Sequence, residues 1–153
     1  MFVELVEIIS AKVQPFCRQA GVELITKVHT AATLSNRTAN LAGLILANLI
    51  QNAIEATPKE GLVTLSFSHE ADNVACEVRD EGTGFPSNRK LFEPCHSTKE
   101  GRSGIGLAIS KQLANHLGAA LELRNSTPRG CVFALLLPKA LWTEGARAVT
   151  VTA

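Results

Sequence analysis

The chain lacks an apolar run long enough to cross a membrane. Its longest such runs, 41–50 and 131–138, fall far below the ~20 residues that a spanning helix needs. The first 20 residues also lack the basic start, apolar middle and small-residue cleavage site of a secretion signal. We therefore expect a cytoplasmic protein without direct membrane insertion.

An excess of charge of one sign is missing as well. The formal net charge is +1, from 15 basic and 14 acidic residues, and no basic tract is present. This balance does not predict nucleic acid or an anionic membrane surface as the main partner. The four cysteines form no C-x-x-C pair, which argues against a zinc knuckle or a dithiol redox motif.

The pattern of apolar residues predicts one domain of mixed structure. Helical periodicity favours helices over 2–20, 41–57 and 105–117, and alternating runs favour strands over 22–28, 62–69, 74–79, 119–124 and 131–137. Ser35 or Asn36 is the predicted N-cap of the second helix. The order predicts an α/β (α+β) two-layer sandwich: a mixed, mostly antiparallel sheet with about three helices on one face. The domain covers 1–138, and 139–153 is predicted to be a flexible tail.

Two carboxamides interrupt the second predicted helix, which is otherwise almost entirely apolar. Asn48 and Asn52 lie one turn apart and therefore share a face. Leaving a polar group buried without a partner costs roughly 1–3 kcal/mol, so each amide requires a partner. Neighbouring backbone groups are one such partner and a bound ligand is the other, and the glycine-rich sequence downstream favours a ligand.

The segment 80–106 is rich in glycine and proline and is too long for a simple connection. It does not match the P-loop pattern G-x-x-x-x-G-K-[ST], because no lysine follows the glycines of GRSGIGLAIS. Neither Gly82-x-Gly84 nor Gly104-x-Gly106 is followed by the third glycine of a dinucleotide fingerprint. Both of these phosphate-binding loops are therefore excluded.

A third kind of nucleotide site combines the two asparagines with the glycine-rich segments. Asp80, at the end of a predicted strand and before Gly82 and Gly84, presents a carboxylate acceptor to a flat ring that carries an exocyclic amine. Gly104 and Gly106 begin a helix whose free N–H groups suit phosphate oxygens. The amide oxygens of the preceding helix would complete a Mg²⁺ shell of waters and phosphates. Further donors come before the glycines: Ser97, Thr98, Lys99, Arg102 and Ser103.

These segments resemble the motifs of the GHKL superfamily, which has the Bergerat ATP-binding fold. In particular, they resemble the catalytic and ATP-binding domain of two-component sensor histidine kinases. NLIQNA at 48–53 is similar to the N box, DEGTG at 80–84 to the first glycine box, LFEP at 91–94 to the F box, and GIGL at 104–107 to the second glycine box. The resemblance covers roughly residues 1–138.

The resemblance implies a role for the matched residues. Asp80 binds the adenine amino group of ATP, and Phe85 lines the adenine pocket. Asn52 holds Mg²⁺, and Asn48 lies beside the phosphates as the catalytic residue. Residues 93–102 correspond to the ATP lid, which Phe92 anchors. The implied nucleotide-binding set is Asn48, Asn52, Asp80, Gly82, Gly84, Phe85, Thr98, Lys99, Arg102, Ser103, Gly104, Ile105, Gly106 and Leu107.

Asn48 distinguishes the kinases of this family from its ATPases, and three further positions depart from the kinase pattern. ATP-hydrolysing members carry a glutamate at the position of Asn48, and an amide cannot act as that base, which favours a kinase over an ATPase. Leu44 lies one turn before Asn48, where many of the kinases have a polar or acidic residue. Arg102 is either a phosphate contact or a solvated charge, and Cys131 occupies a position near the adenine where threonine is frequent.

None of the four histidines lies in the H-[ED]-L-x-x-P context of a phosphoacceptor. The resemblance therefore implies a domain that is not competent alone. It would present ATP to a histidine on a separate dimerisation domain, with a response regulator as an indirect partner, in the cytoplasmic portion of a larger sensor. Two alternatives stay open: a GHKL serine kinase or anti-sigma switch protein, and a non-catalytic nucleotide-responsive interaction module.

Overall fold

The computed structural model describes residues 2–82 and 106–145, together with the backbone of residues 151–152. The helices are α1 (Phe2–Ala20), α2 (Asn36–Ala56) and α3 (Gly106–Leu117). The strands are β1 (Glu23–His29), β2 (Thr33–Leu34), β3 (Leu62–Glu70), β4 (Asn73–Arg79), β5 (Ala120–Thr127), β6 (Gly130–Leu137), β7 (Trp142–Thr143) and β8 (Val151–Thr152). A short 3₁₀ helix covers Lys139–Leu141. Among the described residues, no helix is both long and apolar enough to span a bilayer.

The main sheet has the strand order β5-β6-β4-β3-β1-β8. β1 and β3 are parallel and are joined through α2, whereas the other neighbouring strands are antiparallel. Along β3, Val63, Leu65 and Phe67 are buried beneath the helices, while Thr64 and Ser66 alternate with them on the other face. The predicted two-layer fold with a mixed, mostly antiparallel sheet is therefore confirmed.

α1 covers one side of the helix layer with the apolar face that the sequence predicts. Phe2, Leu5 and Ile9 are at most 5% exposed, and the Phe2 ring lies 4.8 Å from the ring of Phe67 in β3. Pro15 lies inside this helix, which continues through it to Ala20. Gly21 follows at φ +66°, the left-handed conformation in which glycine commonly ends a helix.

α2 is the central element of the fold, because it packs between α1 and α3 and against the sheet. Its N-cap is Ser35, one of the two predicted residues, whose Oγ accepts a hydrogen bond from the Thr38 N–H at 3.2 Å. Buried apolar side chains surround most of α2, including Ile45, Leu49 and Ile50, each at most 1% exposed. Packing therefore fixes the position of α2 and its rotation about its own axis. The backbone positions of Asn48 and Asn52 are fixed with it.

Three short strands were not predicted, nor was the 3₁₀ helix. β2 pairs with β7 in a two-stranded ribbon, and β8 pairs with the outer edge of β1. Part of the segment 139–153, predicted to be a flexible tail, thus lies in regular structure, and Trp142 is only 6% exposed. Strands of two residues are too short to produce a period-two pattern, which is why the sequence does not reveal them. The domain boundary at residue 138 stays a prediction.

Candidate functional site

Asp80 lies directly after β4 and is buried, with 7% of the residue exposed. One carboxylate oxygen, Oδ1, accepts hydrogen bonds from the N–H groups of Gly82 at 2.8 Å and Cys131 at 3.0 Å. The Asp80 N–H donates in turn to the Cys131 carbonyl at 2.9 Å. No described residue donates to the second oxygen, Oδ2. The carboxylate is thus fixed through one oxygen and retains the other as an acceptor.

Two glycines allow the backbone to pack closely around Asp80. A Cβ on Gly130 would lie 2.1 Å from the Asp80 carbonyl oxygen, and Gly130 has φ +146°. A Cβ on Gly82 would lie 2.6 Å from the carbonyl oxygen of Ala56 at the end of α2. Both contacts are closer than any side chain permits, so these positions accept only glycine without rearrangement.

Asn48 joins α2 to the first turns of α3. Its Nδ2 donates to the Gly106 carbonyl at 2.6 Å and to Ser110 Oγ at 2.7 Å. Ser110 is 1% exposed, and a Cβ on Gly106 would lie 3.1 Å from Asn48 Oδ1. Because Nδ2 makes both contacts with α3, Oδ1 is the atom left for a ligand, and no described residue donates to it.

The described parts of the site lie along α2. Asn52 is half-buried one turn beyond Asn48, and Ala56, which touches Gly82, follows one turn later. At 1.5 Å per residue, the eight positions from Asn48 to Ala56 span about 12 Å. The Asp80 loop and the start of α3 are therefore held at opposite ends of one helical segment.

The structure brings together Asn48, Asn52, Asp80, Gly82 and Gly106 along α2, and Leu107 lies partly buried against the core. The other predicted site residues lie outside the described residues. They are Gly84, Phe85, Thr98, Lys99, Arg102, Ser103, Gly104 and Ile105, together with the predicted lid 93–102 and Phe92.

The structure adds three residues that the motifs do not indicate. Ser110 Oγ accepts a hydrogen bond from the Asn48 amide, and Gly130 lacks the Cβ that would clash with the Asp80 backbone. Thr57 Oγ1 accepts the Glu81 N–H at 3.4 Å. Ser110 follows Gly106 by one turn on the same helical face, so the spacing itself was a usable signal. Cys131, predicted to be near the adenine, meets Asp80 through its backbone.

Leu44 faces solvent next to the site. It is 47% exposed, and Phe16 of α1 is 38% exposed beside it. Both line a groove of about 270 Å³ between α1 and α2, together with Lys12, Val13, Ala47, Asn48 and Gln51. Leu44 therefore belongs to a partly apolar groove surface that reaches Asn48.

Comparison with known sequences identifies relatives of one kind. Residues 38–141 match the family model described as histidine kinase-, DNA gyrase B- and HSP90-like ATPase. Sporulation kinase C of Bacillus subtilis is 33% identical over 111 residues, which cover 71% of this chain and 26% of that protein. The C4-dicarboxylate transport sensor protein DctB of Rhizobium meliloti is 37% identical over 100 residues, which cover 63% of this chain and 16% of that protein. The chain thus spans about a quarter or less of these relatives.

Solved structures have the same fold. Full-length ShkA in complex with AMPPNP aligns over 97% of this chain and 32% of its own, with a TM-score of 0.80 and 23% identity. The mycobacterial sensor histidine kinase MprB aligns over 88% of this chain and 95% of its own, with a TM-score of 0.72 and 23% identity. The helix layer and mostly antiparallel sheet are those of histidine kinase catalytic domains.

Proposed function

The chain belongs to the family of histidine kinase-, DNA gyrase B- and HSP90-like ATPases, as an ATP-binding catalytic domain of the sensor histidine kinase type. From this premise we propose that it binds Mg-ATP and presents the γ-phosphate to a histidine on a separate dimerisation domain. A response regulator would receive the phosphoryl group afterwards. Because the site uses ATP, we also propose a cytoplasmic location.

The observation that carries this proposal is the pair of uncommitted oxygens at the two ends of the α2 segment. Asp80 Oδ2 is an anionic acceptor at one end, and it fits the exocyclic amine of adenine. Asn48 Oδ1 is a neutral acceptor at the other end, beside the start of α3. The separation of about 12 Å along the helix suits a ligand with a base at one end and phosphates at the other.

The residues present also fit a magnesium ion. Amide oxygens are ligands that Mg²⁺ accepts beside waters and phosphate oxygens, and Asn52 is the residue we assign to it. The ion, when bound, neutralises charge on the phosphate oxygens. Asn48 keeps its amide oriented through Gly106 and Ser110, and it lacks the carboxylate that would activate water. The site therefore favours phosphoryl transfer over hydrolysis.

The remaining contacts are assigned by the motifs. We propose that Gly84 and Phe85 complete the adenine pocket beside Asp80 and Gly82. The phosphates would contact the second glycine box and the residues before it: Thr98, Lys99, Arg102, Ser103, Gly104, Ile105, Gly106 and Leu107.

Calorimetric titration with Mg-ATP tests the site. Asp80→Asn keeps the size of the side chain but replaces the carboxylate, and it should weaken binding about tenfold or more, because a hydrogen bond to a charged group contributes roughly 1.5–3 kcal/mol. Asp72→Asn, in the exposed turn between β3 and β4, is the matched control and should bind as the unaltered chain does. Unchanged affinity in Asp80→Asn would remove Asp80 from the site.

Phosphotransfer is tested separately with γ-labelled ATP. Label should appear on an added dimerisation domain that carries a phosphoacceptor histidine, and it should be absent when this chain is incubated alone. Robust labelling of the isolated chain would contradict a separate acceptor.

The exposed Leu44 beside Asn48 favours a second candidate, a nucleotide-responsive module without transferase activity. Ordinary Mg-ATP affinity without transfer to any supplied acceptor domain would select this candidate. Phosphoryl transfer by the unaltered chain, which carries Leu44, would exclude this second candidate.

A further inference from the structure

Glu81 makes two contacts that tie the Asp80 loop to neighbouring elements. Its side-chain Oε1 accepts the N–H of Leu62, the first residue of β3, at 2.5 Å. Its own N–H lies 3.4 Å from Thr57 Oγ1, next to the end of α2. Although exposed, Glu81 therefore connects the loop both to the sheet and to the helix that carries the two asparagines.

The contact with Leu62 replaces a rung of the β ladder. β3 and β4 pair with Thr64 opposite Arg79, so two further residues along each strand bring Leu62 opposite Glu81. β4 ends at Arg79, although the Asp80 N–H still donates to the Cys131 carbonyl in the register of the β4–β6 pairing. The Glu81 carboxylate then supplies the acceptor for Leu62.

The contact with Thr57 connects Glu81 to the part of α2 that carries Asn52. Thr57 Oγ1 donates to the Ala53 carbonyl at 2.8 Å, and Thr57 is 7% exposed. Ala53 follows Asn52 directly in α2. Thr57 thus links the backbone of Glu81 to the last turn of α2, close to the proposed magnesium ligand.

We propose that Glu81 is a positioning residue for recognition of the adenine amine: by holding Leu62 it fixes the direction in which Asp80 presents its free oxygen. This inference rests on the proposed function of Asp80. Gly82 and Cys131 restrain Oδ1 from the loop and from β6. Glu81 restrains the same loop from β3, so that three elements fix the carboxylate.

The test compares the affinity for ATP with the affinity for ITP, whose base carries a carbonyl in place of the exocyclic amine. Glu81→Ala should reduce the preference for ATP roughly tenfold, the effect of one misplaced hydrogen bond to a charged group. Glu81→Gln retains an oxygen that accepts from Leu62, so it should preserve the preference. A general loss of structure would weaken both nucleotides alike and leave their ratio unchanged.

Glu23→Ala is the matched control, because Glu23 lies opposite Leu62 in the β1–β3 pairing and is exposed. It should leave the ratio unchanged. Retention of the full ATP preference in Glu81→Ala would overturn the inference, as would equal losses in Glu81→Ala and Glu81→Gln. If the unaltered chain did not prefer ATP over ITP, the assignment of Asp80 itself would fail, and the two failures are thus distinguishable.

Discussion

At the residue scale, the site depends on close approaches of backbone that only glycine permits. Gly130 has a φ of +146° and faces the Asp80 carbonyl, which a Cβ would approach to 2.1 Å. Gly118, which ends α3, has φ +87°, but a Cβ there would meet nothing within 4 Å. A side chain at Gly118 would meet only the cost of the backbone conformation, whereas one at Gly130 would meet both that cost and a steric clash. Comparing the two positions therefore separates the two costs.

We expect Gly130→Ala to lower the free energy of unfolding by more than Gly118→Ala does. Both substitutions force alanine into a positive φ, which costs about 1–3 kcal/mol. Gly130→Ala must in addition displace the Asp80 backbone, so it should also weaken ATP binding. Urea unfolding and nucleotide titration of both variants check this. Equal losses of stability in the two variants, with unaltered ATP affinity, would show that the close approach of Gly130 to Asp80 does not require glycine.

Ser110 is the other residue on which the site geometry depends. Ser110→Ala removes the acceptor of one Asn48 N–H bond inside a buried contact, and it should lower the free energy of unfolding by about 1 kcal/mol. Ser66→Ala, half-buried on the opposite face of the sheet, is the control. Urea unfolding measures both. A loss in Ser110→Ala no larger than in the control would mean that Asn48 does not depend on Ser110.

The sequence predicts the residues whose chemistry is visible in their type and spacing, and it misses those that act through packing. Asp80, Asn48 and Asn52 are polar groups in apolar or glycine-rich surroundings, which marks them without any structure. Thr57 is an ordinary residue whose importance comes from the atoms that it contacts, the Glu81 N–H and the Ala53 carbonyl. That information depends on tertiary distances, so no local pattern contains it.

At the scale of elements, Arg124 joins three strands on the face of the sheet opposite the helices. It lies at the irregularity of β5 between Leu123 and Asn125, and it makes a bidentate contact with Glu70 of β3 at 2.5 and 2.6 Å. Its Nε also donates to Glu122, and Glu77 of β4 lies 3.9 Å away. A bulge residue is free to direct its side chain across neighbouring strands in this way.

This contact predicts a pH dependence of stability. Hydrogen bonding from Arg124 lowers the pKa of Glu70 below its ordinary value. Because the folded pKa is the lower one, the stabilisation is present above the unfolded pKa of about 4.3 and is lost as pH falls through the folded pKa. Glu70→Gln should therefore lower the melting temperature at pH 7, and the difference from the unaltered chain should shrink as pH drops below about 4.

Thermal melts from pH 7 to pH 3 check this expectation, with Glu23→Gln as an exposed control. A constant difference across that range would contradict the role of the Glu70 carboxylate. Added salt at pH 7 should also reduce the difference, because both side chains are accessible to solvent.

Whether a helix or strand can be predicted from the sequence depends on its length and on whether its pairing partner is distant in the sequence. α1, α2 and the long strands are periodic over many residues, and their bounds come from the sequence to within a few positions. β2 and β7 have two residues each and exist because they pair with one another and because Trp142 is buried, with its Nε1 donating to the Asp72 carbonyl at 3.3 Å. Such elements are defined by contacts distant in sequence.

At the scale of the whole molecule, α2 organises both the core and the site. Its apolar faces fill the layer between the sheet and the other helices, and its polar stripe places Asn48 and Asn52 between the first turn of α3 and the Asp80 loop. The fold therefore holds the proposed base-binding end and the proposed phosphate-binding end at a fixed separation. The order of helices and strands predicts this architecture, whereas the parallel pairing of β1 with β3 and the strand order require the structure.

The most direct test of the proposed nucleotide site is the ratio of ATP affinity to ITP affinity in the unaltered chain and in Asp80→Asn, measured by calorimetry with magnesium present. The unaltered chain should prefer ATP by roughly 10- to 100-fold, the contribution of one hydrogen bond to a charged acceptor, and Asp80→Asn should lose most of this preference. Equal affinities for ATP and ITP in the unaltered chain, or an undiminished preference in Asp80→Asn, would contradict it.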